Sequence, residues 1–187
     1  MAEPAPSPKR DATPAVVAVA SNLRLRELFD HNLDFVWRSL RRLGVPSTVV
    51  DDAAQEVFLV ASRRLADIEL GRERSFLFAT ALRVASDARR AVARRGEHVD
   101  DALDHIADDA PSPAELADRQ RARAVLDRVL DGMDLELRAV FVLYELEEMT
   151  MADIGITLEL APGTVASRLR RAREAFQAAV TRLRRSA

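Results

Sequence analysis

The stretch TMADIGITLELAPGTVASRLRRAR, from Thr150 to Arg173, decides the fold of the second half of the chain. Thr150 suits the N-cap of a helix of about two turns, which we expect to end near residues 159–161. A second helix can restart at Pro162, because the missing N–H of proline leaves no bond unmade in the first turn. A short helix, a tight turn and an arginine-rich second helix form the pattern of a helix-turn-helix.

The second helix of this pattern has an apolar side and a basic remainder. Val165 and Leu169 are four residues apart and share one face. The basic residues on the other faces are Arg168, Arg170, Arg171 and Arg173. In a helix-turn-helix the second helix enters the DNA major groove. The alternative is an ordinary amphipathic hairpin with a solvated arginine face, since Glu159 stands where glycine is frequent.

Composition restricts the class of protein. The chain has 187 residues, 48% of them apolar, which is enough for one domain or two small ones. There is no cysteine, so disulfides and thiolate metal sites are excluded. The apolar runs are too short to span a bilayer, and the N-terminus lacks the apolar segment of a signal peptide. We therefore expect a cytoplasmic protein without membrane insertion.

The net charge of -2 hides a strong segregation of charge. The last twenty residues contain seven arginines and one acid, Glu174. Residues 97–118 contain eight acids and neither lysine nor arginine. The second of these segments, with Pro111 and Pro113, indicates a flexible acidic linker over residues 97–119.

The first half of the chain predicts three helices after a proline-rich tail over residues 1–20 that we expect to be mobile. The helices are expected over Ser21–Leu43, Ser47–Leu65 and Ser75–Arg95, and they make up a first domain over residues 21–96. The residues expected to be buried are Leu25, Phe29, Val36, Leu40, Leu43, Val50, Ala54, Val57, Ala61, Leu65, Phe76, Ala79 and Leu82, with Phe78 as a further candidate.

Two surfaces of this first domain have functional potential. The second helix exposes Asp52, Gln55, Glu56 and Leu59, which suits docking on another protein or is simply a solvated face. The third helix has arginines in its later turns: Arg83, Arg89, Arg90, Arg94 and Arg95. These exceed what interaction with the helix dipole requires, so a phosphate-binding face is favoured.

A second domain is predicted over residues 120–187. Helices over Leu116–Leu130 and Leu135–Leu146 precede the helix-turn-helix, with an expected core of Ala122, Val125, Val129, Leu130, Leu137, Val140, Phe141 and Tyr144. No catalytic motif, phosphate loop or cofactor site occurs. The scattered residues His31, His98 and His105 do not predict a metal site.

Together these segments resemble the extracytoplasmic-function (ECF) sigma factors of the sigma-70 family, which direct bacterial RNA polymerase to promoters. DDAAQEVFLVASRRL at Asp51–Leu65 is similar to region 2.1–2.2 of that family, and SFLFATALRVASDARR at Ser75–Arg90 is similar to region 2.3–2.4. Residues 126–154 followed by PGTVASRLRRARE at Pro162–Glu174 resemble region 4. The order and spacing of the three motifs are specific to the family.

The resemblance implies an all-α protein of two small helical domains joined by the linker, acting as a non-catalytic initiation factor. Core RNA polymerase and promoter DNA are the implied partners, and the resemblance leaves open an anti-sigma factor. The implied polymerase-binding residues are Asp52, Gln55, Glu56 and Leu59. The residues implied at the -10 element are Arg72, Arg74, Arg83, Asp87 and Arg90. Those implied at the -35 element are Thr164, Ser167, Arg168, Arg170, Arg171 and Arg173.

Five positions depart from the family's usual residues: Phe76, Arg83, Asp134, Gly155 and Ala166. These changes affect which promoter is expected rather than the class. Two other interpretations are a dimeric helix-turn-helix regulator and a helical adaptor. The first leaves the N-terminal domain and the acidic linker without a role, and the second leaves the segregation of arginine unexplained.

Overall fold

The computed structural model describes residues 14–95, 122, 123 and 125–186, and every regular element in those ranges is helical. The elements are α1 (Pro14–Arg42), α2 (Ser47–Arg63), a 3₁₀ turn (Leu65–Asp67), α3 (Glu73–Arg95), α4 (residues 125–131), α5 (Leu135–Phe141) with a π-helical turn (Val142–Leu146), α6 (Met151–Leu158) and α7 (Pro162–Ser186). The predicted all-α class is confirmed. We call α1–α3 the first module and α4–α7 the second module.

The first helix begins seven residues earlier than the sequence pattern predicts. It starts at Pro14 rather than at Ser21, because proline fits the first helical turn and the following alanines and valines continue the helix. Residues 14–20, which we expected to belong to the tail, are helical in this structure. Residues 1–13, the acidic linker over residues 97–119, and the histidines His98 and His105 within it lie outside the described residues.

A glycine turn ends α1 and sets the angle between α1 and α2. Gly44 has φ +86, a left-handed conformation that glycine adopts without strain. The N–H of Gly44 donates to the carbonyl of Arg41 at 2.9 Å, and the N–H of Val45 donates to that of Leu40 at 3.0 Å. This pair of bonds is the Schellman motif, and the buried Leu40 and Val45 supply its apolar contact.

The core of the first module lies where α1, α2 and α3 pack on one another. The predicted core residues Val36, Leu40, Leu43, Val50, Ala54, Val57, Ala61 and Phe78 are buried. Leu25 and Leu65, which were also expected to be buried, are half-buried. Two further predictions need correction. Phe29 remains 40% exposed, and the buried side of α3 is formed by Leu77, Phe78, Ala81, Val84 and Ala85, whereas Phe76, Ala79 and Leu82 are half-buried. The stripe on α3 is shifted because it must face α1 and α2 at once.

The core of the second module is formed mainly by α5, the π-helical turn and α7. Val129, Leu130, Leu137, Val140 and Phe141 are buried as predicted, and Tyr144 is half-buried. Ala122 and Val125 were expected to point inward but are exposed, and α4 meets the core through Leu126 and Leu130 instead.

The two modules are in direct contact. α3 packs on α6, and buried residues from both modules form one continuous apolar cluster. Arg42 of α1 forms an ion pair with Glu147, and Arg72 forms one with Asp153 at 3.5 Å. The predicted separation into two helical units is thus accompanied by an interface between them. Across the described ranges, no helix is long and apolar enough to cross a membrane.

Candidate nucleic-acid and protein interfaces

The predicted helix-turn-helix is present with the expected cap and turn. The hydroxyl oxygen of Thr150 accepts a bond from the N–H of Asp153 at 3.1 Å, which caps α6. At the end of α6, Glu159 takes a left-handed conformation with φ 55, and the N–H of Leu160 donates to the carbonyl of Gly155 at 2.8 Å. α7 then begins at Pro162, so the sequence located both ends of the turn.

Apolar contacts on one side of α7 fix its position. Val165, Leu169 and Ala172 are buried in the core, as the four-residue spacing predicted for the first two. Further along, the ring of Phe176 stacks on Phe141 with centroids 4.9 Å apart. A helix anchored along one side must present its opposite side to solvent, and that side carries the basic residues.

The front of α7 has one arginine that is free to contact a ligand. Ser167 is exposed and donates to the carbonyl of Thr164 at 3.0 Å. Arg170 is exposed and pairs with Glu174 at 2.7 Å. Arg171 is exposed, and within the described residues no ion pair or hydrogen bond holds its guanidinium. An unpaired arginine in the third turn of such a helix is suited to bidentate contact with a base edge.

Two other arginines of α7 are tied to acids of their own module. Arg168 forms an ion pair with Glu136 of α5. Nε of Arg173 donates to Glu145 at 2.7 Å, and its guanidinium lies 5.1 Å from the ring centroid of Tyr144. The hydrogen bond to Glu145 is the largest cause that raises the pKa of Arg173. These two pairs connect α7 to α5 and to the π-helical turn.

The residues assigned by resemblance to the -10 element lie along α3 and the loop before it. Arg83, Asp87 and Arg90 follow one face of the helix, and Asp87 pairs with Arg90. Arg74 places its guanidinium 5.1 Å from the ring centroid of Phe35. Arg72 is turned toward the second module, where it meets Asp153. Arg83, Asp87 and Arg90 therefore form one continuous surface along α3, and Arg72 does not join it because its side chain contacts the second module.

The two aromatic residues of α3, Phe76 and Phe78, differ in how far they are buried. Phe78 is fully buried, which excludes base stacking in this arrangement. Phe76 is half-buried, and the guanidinium of Arg64 lies 5.5 Å from its ring centroid.

An apolar groove between α1 and α2 includes two of the four predicted docking residues, Gln55 and Leu59. Asp52, Gln55, Glu56 and Leu59 are exposed on α2, with Leu59 47% exposed. The groove has a volume of about 950 Å³. Its lining includes Gln55 and Leu59 of α2 and four residues of α1: Leu25, Phe29, Leu33 and Trp37.

Sequence reasoning missed the α1 side of this groove. Phe29, Leu33 and Trp37 recur every four residues and form a second apolar stripe beside the buried one. That spacing was the available signal, but it was interpreted as core at Phe29. Nε1 of Trp37 donates to Asp51 at 3.0 Å, which fixes the indole at the end of the groove. A contiguous exposed apolar surface of this kind is typical of protein docking sites.

Comparison with known proteins assigns both modules to one protein family. Residues 28–95 match the family model described as sigma-70 region 2, and residues 123–176 match that described as sigma-70, region 4. The RNA polymerase sigma-H factor of Pseudomonas aeruginosa is 30% identical over 148 residues, covering 73% of this chain and 75% of that protein. The chain belongs to the sigma-70 family. Its resemblance to the ECF group, predicted from the three motifs, is thereby confirmed.

Two further relatives extend the comparison across this sigma-70 protein. The ECF RNA polymerase sigma factor SigE of Mycolicibacterium smegmatis is 30% identical over 149 residues, which is 79% of this chain and 58% of that protein. The solved structure of CnrH in complex with the cytosolic domain of CnrY is 25% identical, with a TM-score of 0.64 over 89% of this chain and 94% of that one. The first module thus corresponds to region 2 and the second to region 4.

Proposed function

We propose that this protein is a non-catalytic ECF sigma factor that binds core RNA polymerase and directs promoter-specific initiation in the cytoplasm. One observation carries the proposal: the same chain presents an exposed apolar docking groove on region 2 and an anchored helix-turn-helix on region 4. An isolated DNA-binding regulator has no need of the groove, and an adaptor has no need of the arginine helix.

The groove is proposed as the contact with core polymerase. Phe29, Leu33, Trp37 and Leu59 would bury apolar area, and the exposed Asp52, Gln55 and Glu56 would provide a polar rim. Burying one leucine or phenylalanine side chain stabilises a complex by about 1.5–3 kcal/mol, so these side chains suffice for a stable attachment.

The arginines of α3 are proposed to hold the separated -10 strand. Arg83 and Arg90 would contact phosphates, whereas Arg72, in the preceding loop, and Arg74, in the first turn of α3, would act at the N-terminal end of that helix. Capture of unstacked bases offsets the unfavourable opening of the duplex, at roughly 1–3 kcal/mol for each stacked base.

The front of α7 is proposed to read the -35 element. Thr164, Ser167, Arg170 and Arg171 would face the major groove, while Arg168 and Arg173 would orient the helix from its sides. A protein partner that restrains the factor is also proposed, because CnrH, of similar fold, is solved with the cytosolic domain of CnrY.

Run-off transcription tests the function directly. The purified protein is added to core RNA polymerase and a pool of genomic promoter fragments, and the transcripts are mapped. We expect discrete start sites that are absent with core alone. Leu59→Glu is the matched loss-of-binding variant and Val125→Glu the control, because Val125 is 48% exposed on α4 and lies outside the groove and the proposed DNA-binding surfaces. Transcripts that do not depend on the protein would overturn the proposal.

A further inference from the structure

The loop between α2 and α3, residues 64–72, has a buried base and an exposed tip. Ile68, at the base, is 3% exposed and belongs to the core of the first module. Two residues later, Leu70 is 83% exposed. The tip is a turn in which the N–H of Arg72 donates to the carbonyl of Glu69 at 3.0 Å. The place of such a projecting tip depends on how firmly the base is held.

The backbone alone holds the base of this loop weakly. The base is a 3₁₀ turn of three residues, Leu65–Asp67, without a side-chain cap at its N-terminus. The N–H of Asp67 donates to the carbonyl of Arg64 at 2.9 Å, but the N–H of Ile68 reaches the carbonyl of Leu65 only at 3.4 Å. Backbone hydrogen bonds are usually about 2.9–3.0 Å long, and 3₁₀ turns have poor bond geometry. A donor from outside the turn therefore adds to its stability.

Arg24 of α1 is that donor. Its Nη1 donates to the carbonyl of Leu65 at 3.1 Å, and its Nη2 donates to the carbonyl of Ile68. One rigid, planar guanidinium thus connects the first residue of the turn to the residue that follows the turn. These partners are 41 and 44 residues away in the chain, so α1 holds the loop from outside. A lysine has a single nitrogen and lacks this two-pronged geometry.

The position of Arg24 separates its contacts from those of the docking groove. The lining of the groove includes the neighbouring residues Leu25 and Arg26 but not Arg24. Arg24 lines a different cleft, of about 390 Å³, together with Leu70 and Arg74. A substitution at Arg24 can therefore alter the loop and leave the groove residues in place.

We propose that Arg24 is a positioning residue for the -10 strand: it holds the loop so that Leu70 and Arg74 meet the strand in one fixed arrangement. The proposal rests on the function proposed above. A loop that is ordered before binding loses less conformational freedom when the strand arrives, and its contacts fall on the same bases each time. Arg24 acts through the loop and does not itself touch DNA. It precedes the match to sigma-70 region 2, which begins at residue 28, so the match assigns it no role.

The first readout is the mobility of the loop in the free protein. Because the chain has no cysteine, a spin label can be attached at Leu70→Cys, on the exposed tip. Arg24→Gln should raise the mobility of this label, because the guanidinium that spans the turn is lost. Arg38→Gln is the matched control, since it makes the same change at an exposed position of the same helix, and it should match the wild type. Circular dichroism checks that each variant is folded.

The second readout is capture of a single strand by the holoenzyme, the protein bound to core RNA polymerase. The probe is a DNA duplex that ends in a single-stranded region of about 12 nucleotides of randomised sequence. If the unheld loop takes the binding arrangement in about one chain in ten, Arg24→Gln should weaken capture about tenfold. The sequences selected from the pool should also become less distinct.

Two further measurements separate a positioning role from a general loss of stability. Arg24→Lys keeps the charge but not the two-pronged contact, so it should not restore the wild-type selection. The affinity of both Arg24 variants for core polymerase, measured by anisotropy, should equal that of the wild type. A purely structural role would instead lower core affinity and strand capture together, and such a parallel loss would overturn the proposal.

The remaining outcomes also decide the proposal. Unchanged label mobility in folded Arg24→Gln would overturn it, and so would a mobile loop with unchanged capture and selection. Full recovery in Arg24→Lys would contradict it, because the charge alone would then suffice. If the wild-type holoenzyme captures no strand, the sigma function and with it the role at the -10 strand fail, even where the label shows that Arg24 holds the loop.

Discussion

The two modules end a helix with the same turn but with different residues in it. In the first module the Schellman turn after α1 has Gly44 at φ +86. In the second module the equivalent turn after α6 has Glu159 at φ 55, with the same two types of backbone bond. A side chain in the left-handed region costs roughly 1 kcal/mol that glycine avoids. The turn that orients the proposed recognition helix is therefore the more strained of the two.

The proposed binding surfaces of the two modules differ as strongly. The groove of the first module is apolar, whereas the front of the second carries arginines, several of them already paired with acids. Apolar association depends on buried area, and binding of arginine to phosphate depends on counterion release and therefore on salt. Raising the salt concentration should consequently weaken DNA binding by the second module much more than polymerase binding by the first.

The largest expected effect comes from placing charged side chains in the apolar groove. Leu33→Glu combined with Leu59→Glu places two charges in the groove and should weaken binding to core polymerase by about 100-fold or more. Anisotropy of labelled protein titrated with core enzyme measures this, and circular dichroism checks the fold. Leu70→Glu should bind as the wild type does. Equal affinity of the folded double variant would show that the groove is not the docking site.

The second largest effect is expected from a substitution at Gly44, in the turn of the first module. Gly44→Ala should lower the free energy of unfolding by about 2 kcal/mol or more, because it adds left-handed strain and a collision with the guanidinium groups of Arg138 and Arg89. Gly71→Ala separates the two causes. Its φ is +81, but no atom lies within 4 Å of the added Cβ, so only the strain of about 1 kcal/mol remains. Urea denaturation of both variants should show this order, and equal losses would mean that the collision is relieved by movement of the arginines.

These turns also show which features the sequence could predict. The helix-turn-helix was predictable because its signals depend on neighbours along the chain. These signals are the cap at Thr150, the restart at Pro162 and the spacing of Val165 and Leu169. The place of Phe29 in the groove was missed because a groove stripe and a core stripe have the same helical spacing. Which of the two is buried depends on how α1, α2 and α3 pack together.

The contacts between the modules were beyond local pattern for the same reason. Glu147 and Asp153 pair with arginines that are 105 and 81 residues away in the chain. The exposed positions Asp52, Gln55, Glu56 and Leu59 were predicted correctly, since exposure on α2 follows from its own periodicity. Their role in binding polymerase stays a prediction.

A smaller effect should distinguish the arginines of α7. Arg171→Ala should cost about 1–3 kcal/mol of discrimination at one base position of the -35 element, because the unpaired guanidinium is available for bidentate contact. Arg173→Ala should leave base preference unchanged, because this arginine is held by Glu145 and Tyr144, and should lower affinity and the salt dependence of binding slightly. Selection from randomised sites at two salt concentrations measures both. The same selected sequence for the wild type and Arg171→Ala would contradict the assignment of the front face.

The smallest effect is expected from a variant that removes the difference between the two turns. Glu159→Gly gives the second turn the residue of the first and should raise the free energy of unfolding by about 0.5–1 kcal/mol, because glycine relieves the left-handed strain at φ 55. The Glu159 side chain is exposed, so little contact is lost. Glu159→Ala is the control, since it removes the same carboxylate but keeps a Cβ in the left-handed region, and it should give no such gain. Urea denaturation followed by circular dichroism compares the three proteins. If alanine stabilises as much as glycine, the effect arises from the lost charge, and the two turns do not differ in backbone strain.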